Sequence, residues 1–336
     1  MKVSIKQISE ETGFSPATVS NALNRRKGVN GETAEKILKA AERLGYQSDK
    51  AITSIRFVTY RKNGLIIDDC QVFPAMIEGV EQQAKELGYE TTFSRLDHKD
   101  EDFEERLNEV VDDTGSILIL LATEMIEEDF EPFRKYKGRM VLLDGWSEQM
   151  DFDGILINNT DAACHAVEYL IEKGHKRIGY LRGDYRIKGF QYREYGYKRA
   201  MERAGLRPDP KQIITIGTKL ESAYEGMKEY LEQEPALPTA YFADNDVIAL
   251  GAMRAMKEKG IRIPEDVSVV GFDDSKFGLI SVPGLTTVHI YKHEMGATAV
   301  RRALDYTKNQ DKAEKMKIQV CTTFVERESV RDLKRA

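Results

Sequence analysis

A chain of 336 residues with a net charge of −6, 41% hydrophobic and 32% charged residues has the make-up of an ordinary globular protein, not a fibrous or disordered one, and its length calls for two or three folding units. No run approaches the roughly 18 apolar residues of a membrane span and the first residues lack an apolar signal core, so a cytoplasmic protein is expected. Cys70, Cys164 and Cys321 are odd in number, far apart and in no C-x-x-C pair, which argues against a disulfide framework or zinc knuckle and for three buried, reduced thiols.

Charge is unevenly divided. Residues 1–50 carry nine Lys/Arg against six Asp/Glu, a net of +3, and the rest of the chain carries −9. A basic head on an acidic body implies that only the head meets a polyanion. In "SIKQISEETGFSPATVSNALN" Ile5, Ile8, Val19, Ala22 and Leu23 fall at helical spacing on either side of Gly13, which predicts helix, tight turn, helix. Gly13 takes the positive φ that ends the first helix. Ser15 followed by Pro16 supplies an N-cap and the one helical position at which proline loses no hydrogen bond. A third helix, "NGETAEKILKAAERLG", opens on Asn30 as cap, aligns Ala34, Ile37, Leu38, Ala41 and Leu44 on one face, and stops at Gly45. Such a bundle need not bind anything. Thr18, Ser20, Asn21 and Asn24 on an exposed helix, followed by Arg25, Arg26 and Lys27, nevertheless offer short hydrogen-bonding side chains for bases and cations for phosphates, as a helix in a major groove requires.

This segment, through "VNGETAEKILKAAERLGY", closely resembles the DNA-binding head of the lac/gal repressor (LacI/GalR) family. The resemblance implies that Pro16, Ala17 and Asn21 read bases and that Thr18, Ser20 and Asn24 touch phosphates; Ser15 and Arg25 complete the expected DNA-binding set. Ser9 and Thr12 replace alanines that the family packs inside the motif, a departure that bears on stability. Family members follow the Gly-Tyr with a hinge helix whose leucine wedges into the minor groove and kinks the operator. Here "GYQSDKAITSIRFV" is several residues shorter and has no leucine before the first strand. The expected divisions are a head at 1–46, a short linker at 47–54 from which the hinge helix is missing, and a body at 55–336. A single helical turn at 48–52, with Ile52 as the wedge, is the alternative. Operator bending is expected to be weaker than in the relatives.

From Ile55 onward strand-like and helical runs alternate, from "SIRFVTY", "FPAMIEGVEQQAKELG", "YETTFSRL" and "SILILLA" through "RMVLLDG", "DGILINN" and "AACHAVEYLIEKG" to "VSVVGFDD". The alternation predicts parallel sheets with helices on both faces, Gly88, Gly174, Gly205 and Gly260 ending helices at comparable places. So many elements exceed one sheet. Two doubly wound lobes are expected, with a ligand at the carboxyl ends of the strands where the lobes face each other.

Residues that follow strands are therefore the candidates: Asp144, Trp146, Asn158, Asn245, Asp246 and Asp273. Carboxylates and amides beside an aromatic ring suit a polyol or sugar, whose hydroxyls need partners and whose C–H patches need cover. Plainer roles stay open: Asp246 or Asp274 as a helix cap, Arg193 as a surface ion pair, Trp146 as core. "VEYLIEKGHKRIGYLRG", "AYFADNDVIALGAMRAMKEKGIRIPEDVSVVGFDD" and "PGLTTV" resemble the inducer-binding body of the same family, which is similar to periplasmic sugar-binding proteins, and the likeness spans nearly the whole chain. It implies that Phe73, Asp144, Arg193, Asn245 and Asp273 touch a small-molecule effector between the lobes, with Trp146 close by. Asn158 replaces the family's frequent Asp, and Ile290-Tyr291 its usual Gln-Pro, so the effector itself stays open.

Catalytic motifs fail one by one. "GDYRIKGF" lacks the G-K-[ST] ending of a phosphate loop, "HEMGA" has no second histidine one helical turn on, G-x-S-x-G is absent, and His175 in "KGHKRIG" reads as structural. No enzyme activity, metal or cofactor is expected. The expected architecture is a helix-turn-helix, three-helix DNA-binding head on an α/β two-lobed, periplasmic-binding-protein-like body. The expected function is a transcription regulator, a repressor, that binds a near-palindromic double-stranded operator as a homodimer under the control of a mono- or oligosaccharide. The ending "CTTFVERESVRDLKRA" shows no long leucine heptad, which favours a dimer over a tetramer. The rival reading is a cytoplasmic sugar-binding module whose head docks a protein. Salt separates the two: in a fluorescence-anisotropy titration of a short palindromic duplex, binding is expected to weaken steeply between low and moderate salt, as counterion release requires, and a flat response would count against DNA.

Overall fold

The computed structural model describes residues 3–23, 29–44, 54–68, 72–113, 115–305 and 314–335, and the chain divides into two compact units, Met1–Ile52 and Thr53–Ala336. In the first, α1 (Ile5–Thr12), α2 (Pro16–Leu23) and α3 (Gly31–Leu44) close on Ile8, Val19, Ala22, Ile37 and Ala41. Each helix start is set by a neighbouring side chain. Ser4 and Gln7 form a reciprocal capping box on α1, Ser15 Oγ accepts from Thr18 N at 3.1 Å, and Asn30 Oδ1 accepts from Thr33 N at 2.8 Å. Gly13, at φ 73°, turns the chain between α1 and α2. The two hydroxyls that stand in place of alanines are satisfied within the motif, Ser9 donating to Phe14 O and Thr12 to Ile8 O, both at 2.6 Å, so neither strands a polar group in the core. Leu38, expected on the inner face, is instead 41% exposed, and Ala40 is buried. Ile37, Ala40, Ala41 and Leu44 already complete the stripe, from which Leu38 is rotated by about 100° relative to Ile37. Gly45, the joint at 45–53 and the alternative turn at 48–52 lie outside the described residues.

In the second unit, β1 (Ser54–Arg61), α4 (Val72–Glu86), β2 (Glu90–Asp97), α5 (Phe103–Val111), β3 (Ser116–Leu121), β4 (Met140–Leu143) and β5 (Asp153–Ile157) make a first lobe. A second follows with α6 (Asn159–Glu172), β6 (Ile178–Gly183), α7 (Lys188–Arg203), β7 (Ile213–Ile216), α8 (Leu220–Glu232), β8 (Ala240–Ala243), α9 (Asp246–Glu258), β9 (Ser268–Val270) and α10 (Lys276–Ile280). The strand orders are β11-β5-β4-β3-β1-β2 and β7-β6-β8-β9, parallel throughout, where β11 is Lys317–Val320. β3, β4, β5 and β8 are apolar and buried along nearly their whole length, as strands covered by helices on both faces must be. Order reverses between β1 and β3 and again between β6 and β8, which opens a crevice at the carboxyl end of each sheet.

The last elements shuttle between the lobes. β10 (Thr287–Ile290) lies beside β9 through isolated bridges and pairs antiparallel with β12 (Thr322–Val325), whereas α11 (Lys292–Asp305) packs on α4 and β11 extends the first sheet next to β5. The chain thus crosses between the lobes after β5, after β10 and between β11 and β12. Cys321 sits at the third crossing and is exposed, so the expectation of three buried thiols fails there; Cys164 is buried and Cys70 lies outside the described residues. Helices meet at glycines: a Cβ on Gly79 or Gly296 would strike the opposite backbone of the α4–α11 pair, one on Gly196 the backbone of α6, and one on Gly251 that of α8.

The loop after β1 is organised by one buried side chain. Glu124, 1% exposed, accepts from the backbone N–H groups of Lys62, Asn63 and Gly64 on Oε2 at 2.9, 3.1 and 3.0 Å and of Ile66 and Ile67 on Oε1 at 2.9 and 3.1 Å. Glu124→Ala strands these donors and is expected to destabilise the body by about 3 kcal/mol, measured by chemical denaturation, with a smaller loss for Glu124→Gln, which keeps one acceptor oxygen.

Candidate functional site

On α2, Ser15, Pro16 and Ala17 are exposed, Thr18, Ser20 and Asn21 half-buried, and Val19 and Ala22 buried. Apolar residues at helical spacing commit one face of α2 to the core and leave its short polar side chains outward, close to the N-terminal end whose free N–H groups favour phosphate. Ser15 is also the cap, its hydroxyl 2.8 Å from Thr18 Oγ1. Asn24 and Arg25 of the expected DNA-binding set lie outside the described residues.

In the body, the carboxyl ends of both sheets enclose a cavity of about 20 Å³ lined by Ile66, Val72, Phe73, Thr123, Asp144 and Ile157 from the first lobe and Ile187, Phe190, Arg193, Asn245 and Asp273 from the second. Five of the six residues read as effector contacts meet here. Trp146 does not. It occupies an adjacent recess, edge-on to Tyr192 at 5.0 Å between ring centroids, with the ammonium groups of Lys188 and Lys317 at 5.4 and 5.7 Å from its ring. Asp144 has φ 55°, and this left-handed turn breaks the alternation that would have put residue 146 on the side of residue 144.

Arg193, which the sequence left free to be a surface ion pair, is 4% exposed. Its Nε donates to Asn159 Oδ1 at 2.8 Å, its Nη1 donates to Asp244 O at 2.6 Å and lies 3.3 Å from Asp273 Oδ1, and its guanidinium lies 3.7 Å from the centroid of the Phe272 ring. Asn159, and not Asn158, supplies the amide, because Asn158 is the N-cap of α6 and donates to Asp161 Oδ2 at 2.9 Å. Asn245 caps α9, accepting from Ile248 N at 3.0 Å, so Asp246 is the first helical residue and not the cap. Its buried carboxylate accepts from Ser275 N and Thr287 Oγ1, both at 2.6 Å. Asp274 is no cap either: it pairs with His289 and Arg327, and Ser275 caps α10. His175, 1% exposed between Thr239 Oγ1 and Arg331 O, has the structural role its sequence context implied.

Backbone strain collects at this site, with φ of 55°, 114° and 50° at Asp144, Asp273 and Asp274, none of them glycine. Electrostatic strain collects with it. Burial pushes the Asp144 carboxyl up to about 6, against its 2.7 Å hydrogen bond from Thr123 and the charge of Arg193. Burial holds Asp244 at about 6 in spite of Arg186 and the Tyr180 hydroxyl, and burial followed by the charge of Asp273 holds Asp246 at about 7. Carboxylates from both lobes thus surround one guanidinium, an acceptor-rich lining that a ligand with several O–H or N–H donors would satisfy. Phe73, Phe190 and the aliphatic neighbours supply the apolar remainder. Asn159 and Phe272 escaped the sequence reading; the adjacent Asn158 and Asp273 were the nearest signals.

Residues 4–49 match the model for bacterial regulatory proteins of the lacI family, and residues 167–330 that for a periplasmic binding protein-like domain. Over 332 residues, 98% of this chain and 99% of the relative, the protein is 31% identical to the HTH-type transcriptional repressor PurR of Vibrio atlanticus (strain LGP32). The chain belongs to the lacI family of bacterial regulatory proteins. The same repressor of Haemophilus influenzae (strain PittEE) is 29% identical over 333 residues, 98% of this chain and 99% of that one. Two solved structures share the fold over 98% of this chain and 100% of theirs at 23% identity: a complex of the transcriptional regulator CelR with cellobiose, at a TM-score of 0.74, and the lac repressor dimer bound to operator and the anti-inducer ONPF, at 0.71. As a lacI-family member the protein is a DNA-binding transcriptional repressor under small-molecule control, and its curated relatives are repressors, not enzymes.

The cleft's acids make stability depend on pH. Asp246 titrates near 7 in the folded repressor and near 4 in an unfolded chain, so the folded state keeps a proton that the unfolded state has released. Its contribution to stability is present below about pH 4 and is lost as pH rises to about 7. Asp246→Asn removes that loss: relative to wild type the variant is expected to gain about 4 kcal/mol between pH 4 and pH 8, read from urea denaturation at the two values.

Proposed function

We propose that this lacI-family repressor acts in the cytoplasm as a homodimer, reading a near-palindromic operator with Pro16, Ala17 and Asn21, holding phosphates with Thr18, Ser20 and Asn24, and flanking both with Ser15 and Arg25. Its effector is a mono- or oligosaccharide held by Phe73, Asp144, Arg193, Asn245 and Asp273. The observation that carries this reading is the convergence of those five residues, from five separate segments, on one cavity that pairs acceptors from both lobes with a guanidinium and aromatic rings. Hydroxyl pairs answer the carboxylates, and the rings cover C–H faces. Sugars occur in fold relatives: CelR is in complex with cellobiose, and a LacI family regulator from Enterococcus faecium has bound ribose. The cavity adjoins a space of about 480 Å³ that shares Val72 and Asp273 with it, room for a sugar ring between the lobes; Trp146 flanks it from its own recess, and the effector favours one of two lobe arrangements. Operator affinity then changes by the difference in effector affinity between the two lobe arrangements. In support of a dimer, Phe277, Leu279, Ile280 and Val282 are 52–81% exposed on one short stretch, a surface that an isolated body would leave in water. The match of residues 4–49 to the lacI family speaks against a head that docks protein.

A thermal-shift screen against mono- and oligosaccharides is expected to yield a ligand that stabilises the protein by about 2.7 kcal/mol at a hundredfold excess over its Kd. Arg193→Ala and Asp273→Ala are expected to abolish that shift and the effector's influence on operator binding while leaving operator binding itself intact. An unchanged response in both variants would remove the cleft from the reading.

A further inference from the structure

The stretch "GDYRIKGF", which fails as a phosphate loop, carries a cation in a costly place. Lys188 is the first residue of α7, where the helix macrodipole disfavours positive charge, and its side chain is only 16% exposed. What offsets both costs lies in the other lobe. The ammonium donates to Trp146 O at 2.8 Å and to Glu127 Oε2 at 3.3 Å, stands 3.7 Å from Glu148, and lies 5.7 Å from the centroid of the Phe130 ring and 5.4 Å from that of Trp146. Tyr192, four residues on and therefore on the same face of α7, meets Trp146 edge-on.

The receiving side is organised within the first lobe. Glu127 Oε1 accepts from Ser147 Oγ at 2.7 Å and Arg134 Nη2 at 3.3 Å, and Oε2 accepts from Glu148 N at 2.9 Å. Its carboxylate is thus aimed, with a lone pair on Oε2 left for a donor from outside. Elsewhere on the boundary Tyr185 Oη reaches Glu124 O at 3.4 Å and Lys219 lies 3.7 Å from Asp68, longer and weaker contacts. We propose that Lys188 fastens the two lobes: its ammonium, carried by the second lobe, locks onto Glu127 and the Trp146 carbonyl of the first and sets how readily the body leaves this arrangement. The role rests on effector control acting through the lobe arrangement, and the fastener weights that equilibrium before any ligand binds. Neutralising Lys188 shifts it by about tenfold.

Two measurements on the full-length protein test the fastener without effector or operator, so its failure and that of the sugar reading are separate results. A zero-length carbodiimide, which joins an amine to a carboxylate only where the two touch, is expected to link Lys188 to Glu127 or Glu148, as it links Lys198 to Glu194, 2.7 Å apart on α7. A digest that holds the second link without the first overturns the proposal. Trp146 is the single tryptophan of the chain, so acrylamide quenching of its fluorescence reads the boundary itself. Lys188→Met is expected to raise quenching and Lys188→Arg to restore most of the protection. Glu127→Gln raises it too, and the double variant no further, because the two side chains form one contact. Quenching unchanged in Lys188→Met overturns the fastener, and so do effects of the two substitutions that add, since each residue then packs only its own lobe. Thermal unfolding midpoints close to wild type certify the variants as folded, and the cross-link, made in the unaltered protein, decides the matter if a variant fails to fold.

Discussion

A guanidinium removed from water has to be given acceptors, and the cleft of this repressor is arranged around that requirement at Arg193. The acceptors come from three places: the amide of Asn159, at the first turn of α6, the carbonyl of Asp244, at the end of β8, and the carboxylate of Asp273, after β9. Phe272 closes the remaining face. One side chain of α7 thereby pins the start of the helix that follows the first lobe crossing to the carboxyl ends of two strands. A buried charge of this kind adds little net stability, but it tolerates only one geometry, which is what a recognition site needs.

The acids around it explain why the site is under strain. Burial pushes the carboxyls of Asp144, Asp244 and Asp246 up to about 6, 6 and 7, and three residues that follow strands, Asp144, Asp273 and Asp274, sit at positive φ. Regular elements on either side supply the constraint that keeps them there. The space that continues from the cleft along the same lobe boundary, past Val72 and Asp273, is more apolar, with Leu220, Val247 and Leu250 on its lining.

Much of this was legible beforehand because it is local. Ser15, Asn30 and Gly13 act on backbone groups within a few residues, and Gly88, Gly174, Gly205 and Gly260, each just past the end of a helix, all take the positive φ their positions required. Alternating apolar runs marked β1 through β9 in the same way. β10, β11 and β12 carried no such mark: they are four residues each, β11 and β12 part-exposed, and owe their identity to partners far away in the chain. Leu38 and Trp146 show the limit on single residues, since a stripe or a turn elsewhere decides which side of the backbone faces in.

The sequence by itself determined the helix-turn-helix head and the α/β body, because capping, periodicity and motif spacing act over short stretches, and its resemblance to the lacI family is what pointed to the five residues that line the cleft. Only the tertiary structure decided that Asn159 and not Asn158 meets Arg193, that Asn245 rather than Asp246 caps α9, and that Cys321 is exposed. Those outcomes depend on three passages of the chain between two lobes and on which charges the resulting contacts remove from water, and neither quantity is encoded within any short stretch of residues.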